Sequence, residues 1–165
     1  MIKIRHATKA DYPLIHQLAH QIWPHTFREI LSEAQIAYML EMMYSISSLT
    51  EQVEKKSHRF LLSANSSVYT GYASCEHNYQ GTVKTKIHKI YILPEVQKNG
   101  TGKQLMLEIE KMASDAGNTV LTLNVNKYNS AIQFYEHIGF RKVSEENIDI
   151  GNGFLMEDFV MEKIL

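Results

Sequence analysis

The segment Ile90-Tyr91-Ile92-Leu93-Pro94-Glu95-Val96-Gln97-Lys98-Asn99-Gly100-Thr101-Gly102-Lys103 is the part of the chain whose residue types most plainly serve chemistry. Alternating apolar residues run into a loop with glycines at 100 and 102, and helical periodicity follows. Glycine lets a ligand approach the backbone, because no side chain intrudes. The first N–H groups of the helix lack internal partners and carry the positive end of its dipole. Such a place favours phosphate or pyrophosphate. Lys98 and Lys103 add charge at the rim. A Walker loop is excluded, since Gln104 follows Gly102-Lys103 and no glycine stands five positions before Gly102. The dinucleotide fingerprint also fails, because Leu105 and Met106 stand where its third glycine would fall. Gln97-x-x-Gly100-x-Gly102 remains. Alone, it fits either a phosphate cradle or a tight strand-to-helix turn with no ligand. His16 and His20 have the i, i+4 spacing of metal ligands, but no Glu or third ligand joins them, and a solvated helix face accounts for them.

The elements that must hold this loop can be read from periodicity. Lys84–Leu93 is the strand entering it, with Ile87, Ile90 and Ile92 as apolar anchors. Gly102–Gly117 is the helix leaving it, with Leu105, Ile109 and Met112 on one face. Upstream, Ile2 and Ile4 mark an opening strand. Thr8-x-x-Asp11 starts a helix carrying Leu14, Ile15, Leu18 and Ile22, which Pro24 ends or kinks. Ser32-x-x-Gln35 resembles a capping box for a second helix, and Ser48-x-x-Glu51 for a short third one through Lys55. Arg59–Ala64 and Val68–Glu76 read as strands around the turn Asn65-Ser66-Ser67. Downstream come a strand at Val120–Val125, a helix at Asn129–His137 ended by Gly139, and strands at Phe140–Val143 and Phe154–Lys163. This order predicts one α/β or α+β domain over residues 1–165. Its central sheet is mixed and mostly antiparallel, of about seven strands, with helices on both faces.

A second motif lies in Leu123–Phe140: Asn129, Ala131, Phe134, Tyr135, Gly139 and Phe140, each in place. With the Gln97–Gly102 loop, it resembles the GNAT superfamily of acyl-CoA-dependent N-acetyltransferases. Ile4-Arg5-x-Ala7-Thr8-x-x-Asp11 is similar to the amino end of many members, so the resemblance spans nearly the whole chain. It implies that the strands ending at Leu93 and Val125 splay apart and admit the pantetheine arm of acetyl-CoA as a guest strand. Backbone groups of Ile90, Tyr91 and Ile92 would pair with that arm. Main-chain N–H groups of Lys98, Asn99, Gly100, Thr101, Gly102 and Lys103, behind Gln97, would hold the pyrophosphate. Asn129 would reach the cofactor near its pantetheine. Lys127 is a further phosphate neighbour or a solvated lysine.

The same resemblance implies direct transfer in a ternary complex. The amine must lose a proton, the thioester oxygen needs a donor, and the departing thiolate benefits from a proton. The Ile92 N–H is the expected oxygen donor and Tyr135 the general acid. Similar members often carry a glutamate where this chain has His88. An unperturbed imidazole, with a pKa of ~6.5, can do the same task. Period two puts His88 on one face with Ile90 and Ile92. Glu76 is the second candidate base, and a water chain without a single base is the third reading. Trp23, Phe27 and Tyr38 lie in the helical region that usually walls the acceptor site. The segment 147–158, with Asp149, Glu157 and Asp158, borders the acceptor or a dimer partner in similar members.

Seventeen basic and eighteen acidic residues leave a net charge of −1. A basic stripe is missing, so nucleic acid is not the expected partner. No apolar run reaches the ~18 residues that cross a bilayer, so no membrane partner is expected. The one cysteine, Cys75, suits a reducing cytoplasm. The expected function is acetyl transfer from acetyl-CoA, without a metal, to a primary amine of a small molecule, a polyamine among them, or of a peptide. A homodimer is compatible with it. The alternative, from another class, is a catalytically silent acyl-CoA-binding regulatory domain.

Overall fold

The computed structural model describes residues 1–165. Its strands are β1 (Ile2–His6), β2 (Arg59–Asn65), β3 (Val68–Glu76), β4 (Lys84–Ile92), β5 (Val120–Asn126), β6 (Arg141–Gly151) and β7 (Phe154–Ile164). Its helices are α1 (Tyr12–Phe27), α2 (Glu33–Tyr44), α3 (Ile46–Glu54), α4 (Thr101–Asp115) and α5 (Ala131–His137). The strands form one open sheet in the order β1-β2-β3-β4-β5-β7-β6. Only β4 and β5 pair in parallel, as their connection through α4 requires. The expected mixed, mostly antiparallel seven-stranded sheet is therefore present.

Two apolar layers fix the sheet between its helices. On one face α1, α2 and α3 bury Trp23, Tyr44, Phe60, Leu62 and Tyr72. The Tyr44 hydroxyl accepts from Trp23 Nε1 (3.1 Å) and from the Tyr72 hydroxyl (2.7 Å), so these buried polar atoms are satisfied. On the other face α4 and α5 bury Leu61, Cys75, Ile87, Leu105, Ile109, Leu121 and Leu123.

Several boundaries differ from the sequence reading. α1 runs past Pro24 to Phe27, and the Arg28 N–H donates to the Pro24 carbonyl (3.1 Å). α3 starts at Ile46, because Ser45 rather than Ser48 caps it, accepting from the Ser48 N–H at 3.2 Å. β6 runs to Gly151 instead of stopping at Val143. Its pairing with β7 continues although nearly every side chain on it is exposed.

The feature that positions the site is a β-bulge in β4. Ser74 stands opposite Lys89 and Cys75 opposite Ile87, so His88 is an extra residue. Strict alternation would have set His88 beside Ile90 and Ile92. Instead Ile87, Ile90 and Ile92 face α4, while Lys89 lies over Phe60 and Tyr44 on the α1 side. His88 stacks there on His58, centroids 3.9 Å apart. The expectation that His88 shares a face with the isoleucines is corrected by this bulge, which bends the strand where it forms.

Candidate active site

β4 and β5 pair only from Lys84–Ile87 against Val120–Leu123. Beyond that point β4 stays with β3 as far as Ile92, and β5 stays with β7 as far as Asn126. The inner edges diverge and leave a cleft that starts at the bulge. The Leu93 N–H donates to the Thr70 carbonyl (2.8 Å), and the Tyr91 carbonyl lies against Gly71 of β3. Backbone groups alternate between the edges of an antiparallel strand. Tyr91 therefore turns its N–H and carbonyl to β3, and Ile90 and Ile92 turn theirs to the cleft. The Ile92 carbonyl accepts from Gln97 Nε2 (3.2 Å), which ties the loop to the strand. The Tyr91 ring packs against Trp23, Phe27 and Tyr72. Tyr91 offers the cleft no backbone donor, and its expected cofactor contact is corrected accordingly.

The loop before α4 is shaped by left-handed residues at Lys98 (φ 67°) and Gly100 (φ 93°). A side chain at Gly100 would meet no atom within 4 Å, so its glycine serves the backbone angle and leaves the approach open. Gly102 has another reason. A Cβ there would stand 3.1 Å from Ile92 Cδ1 and 3.3 Å from Phe134 Cζ, so its absence lets α4 start against β4 and α5. Asn99 Oδ1 accepts from the Thr101 N–H (3.1 Å) and hydroxyl (2.6 Å). The Thr101 N–H is thus already taken. The N–H groups of Lys98, Asn99, Gly100, Gly102 and Lys103 have no partner within the chain. They form a row of open donors where the loop meets α4. Asn129 Oδ1 accepts from the Ala131 N–H (2.9 Å) and caps α5, leaving its Nδ2 for a ligand. Lys127 is engaged with Glu145 at 2.9 Å, as a solvated lysine would be.

Tyr135 is buried between Phe134 and Phe140, with its hydroxyl free of any partner within the chain. Burial raises its pKa, so the phenol holds its proton at neutral pH. The two candidate bases prove to be one unit. His88 Nε2 lies 3.0 Å from Glu76 Oε1. A carboxylate only accepts, so Nε2 carries the proton and Nδ1 presents the lone pair. Burial depresses the pKa of His88, chiefly by removing water, with positive neighbours adding to the effect. His58 is likewise pushed down to about 4, first by burial. Both imidazoles are neutral at pH 7. His58 Nε2 stands 3.6 Å from the same Glu76 oxygen. The donor atoms of His58, Glu76 and His88 lie within 4.8 Å of one another. The two rings are nearly parallel, 13° apart, so their lone pairs do not converge on one ion. This geometry suits proton holding better than metal binding.

A polar network continues across the cleft on the same face. Asn124, Asn126 and Asp158 alternate with residues that pack under α4 and α5. Asn124 accepts from Lys86 Nζ and donates to Glu146 Oε2 (3.0 Å) and Asp158 Oδ2 (3.3 Å). Sequence reasoning missed His58 and Asn124, and gave Asp158 only as one acid of a hairpin. His58 shares strand parity with Phe60, a signal for its face but not for its partner. His16 and His20 bond the carbonyls of Tyr44 and His16 through Nδ1, each at 2.8 Å, and converge on nothing.

The family model of the GNAT acetyltransferase domain matches residues 27–163. The chain belongs to the GNAT acetyltransferase family. It is 27% identical over 161 residues to a spermidine N(1)-acetyltransferase of Thermoplasma acidophilum, covering 94% of this chain and 96% of the relative. The L-amino acid N-acyltransferase MnaT of Escherichia coli is 30% identical over 83 residues, 48% of each protein. Among solved structures, the PaiA N-acetyltransferase from Thermoplasma acidophilum in complex with coenzyme A matches with a TM-score of 0.83 and 28% identity, over 100% of this chain and 99% of that one. As a GNAT member, the chain is an acyl-CoA-dependent N-acetyltransferase, and its cosubstrate is acetyl-CoA. No helix is long and apolar enough to cross a membrane.

Proposed function

We propose that this GNAT protein acetylates a primary amine of a small cationic acceptor of the polyamine class, in the cytoplasm. The observation that carries the acceptor class is the end-to-end similarity to a spermidine N(1)-acetyltransferase. Carboxylates of Glu76, Glu146 and Asp158 on the open side of the cleft support it. The cytoplasmic setting rests on the cosubstrate.

Acetyl-CoA supplies an activated acyl group. The five free N–H groups of the loop and the start of α4 hold its pyrophosphate, and Asn129 Nδ2 reaches the arm. The Ile90 and Ile92 N–H groups stabilise the negative charge that gathers on the acyl oxygen. His88 Nδ1 takes the proton that the attacking amine loses, while Glu76 holds the imidazole in the required tautomer. The Tyr135 hydroxyl gives its proton to the departing sulfur. One proton leaves nitrogen and one arrives at sulfur, so the transfer balances without an acyl-enzyme.

The test is a thiol-release screen with acetyl-CoA and diamines, polyamines, amino acids, aminoglycosides and peptides. Di- and polyamines are expected to give the highest kcat/KM. A higher value for amino acids or peptides would overturn the acceptor class.

A further inference from the structure

Asp158 is a carboxylate that its own fold leaves half satisfied. Its residue is 6% exposed. Oδ2 accepts from Asn124 Nδ2 at 3.3 Å, and the buried Oδ1 has no partner. Buried polar atoms are nearly always bonded, and an unpaired buried anion is costly. Asp158 stands opposite Asn126, where β5 has already separated from β4. It stands opposite Glu146 on its other side. Lys86 bonds Asn124 rather than Asp158 itself. Glu76, beside His88 across the gap, is a third carboxylate on this face.

We propose that Asp158 is the acceptor-positioning residue, whose free Oδ1 receives a second, non-reacting ammonium of a di- or polyamine while Glu146 attracts it from the rim. The inference rests on the polyamine reading above and adds the anchor to it. A diamine must deliver one nitrogen uncharged to the acetyl group while the other keeps its charge. A carboxylate set on β7, across the cleft from the His88–Glu76 pair on β4 and β3, separates those two demands. The buried oxygen then gains the charge-assisted hydrogen bond it lacks.

The experiment compares 1,4-diaminobutane and spermidine with butylamine, for wild type, Asp158→Asn and Glu146→Gln. Asparagine keeps the shape and removes the charge. Losing a hydrogen bond to a charged group is worth roughly 10–100-fold. Asp158→Asn is expected to raise KM for both polyamines by about that factor, with a much smaller change in kcat. Butylamine kcat/KM should stay within about twofold. Glu146→Gln, at an exposed position, should act in the same direction but more weakly. The thermal shift given by coenzyme A should be retained in both variants, which separates lost binding from lost folding. Equal losses on butylamine and spermidine, or no loss on either, would overturn the anchor. A wild type that does not favour the polyamines over butylamine would overturn the acceptor reading and the anchor together. A wild-type preference that Asp158→Asn keeps would overturn the anchor alone.

Discussion

In the proposed mechanism Tyr135 and His88 divide the proton traffic, and their surroundings fit those roles. The Tyr135 phenol is buried among aromatic rings and its pKa is raised, so it is a donor at neutral pH. Tyr135→Phe removes only the hydroxyl. The expected result is an unchanged coenzyme A affinity with kcat lowered by ~10²–10⁴-fold, the usual range for a general acid. An unchanged kcat under conditions where chemistry limits the rate would take Tyr135 out of that role. His88 is depressed, so it is an acceptor at neutral pH. His88→Ala should lower kcat/KM by ~10²-fold or more. His88→Glu should retain more activity, because it restores an acceptor, although Glu76 beside it will repel a second carboxylate. With the imidazole pKa pushed down, protonation of His88 should not limit the rate until well below pH 6.5. A wild-type acidic limb at 6.5 that survives in His88→Ala would assign that limb to the amine or to another group.

The strand-loop-helix unit from β4 to α4 was the most legible element in the sequence, and it shows where such reading stops. Glycine spacing and period-two apolar residues located the loop within a residue or two. Val68–Glu76 was legible too, because a turn bounded it. The bulge at His88 was not, since an extra residue shows only against a partner strand, and β3 lies outside the local pattern. β6 beyond Val143 was missed because backbone pairing, not apolar periodicity, holds it. The bond from Asn124 to Asp158 joins side chains 34 positions apart and leaves no spacing signal. The two glycines of the unit make separable predictions. Gly102→Val must displace Ile92 and Phe134, so it should lower the melting temperature of the free protein as well as cofactor binding. Gly100→Val meets open space but strains a φ of 93°. It should act mainly on the cradle, abolishing most of the thermal shift given by acetyl-CoA. For wild type at ~100-fold excess over Kd, that shift corresponds to about 2.7 kcal/mol. No shift at millimolar acetyl-CoA would argue against the cradle itself.

Across the whole molecule, neutral imidazoles held under α3 make stability depend on pH. His58 titrates near 6.5 when unfolded and at about 4 when folded. Between those values the unfolded chain binds the extra proton, so His58 contributes stability above pH 6.5 that is lost as pH falls toward 4. Burial raises Glu76, which works in the opposite direction. The wild-type melting temperature should therefore fall more steeply than that of His58→Gln between pH 6.5 and 4. Parallel curves for the two proteins would show that His58 is not a source of acid lability. The core on the opposite face has a different consequence. Cys75 is fully enclosed there, and burial pushes its thiol up to about 12. Every turnover releases a thiol, and once that thiol is oxidised to its disulfide it can exchange with an accessible protein thiolate, which this fold does not present. The enzyme is thereby protected from exchange with the disulfide form of its product, and a sulfhydryl-reactive dye added to a working sample reads coenzyme A alone.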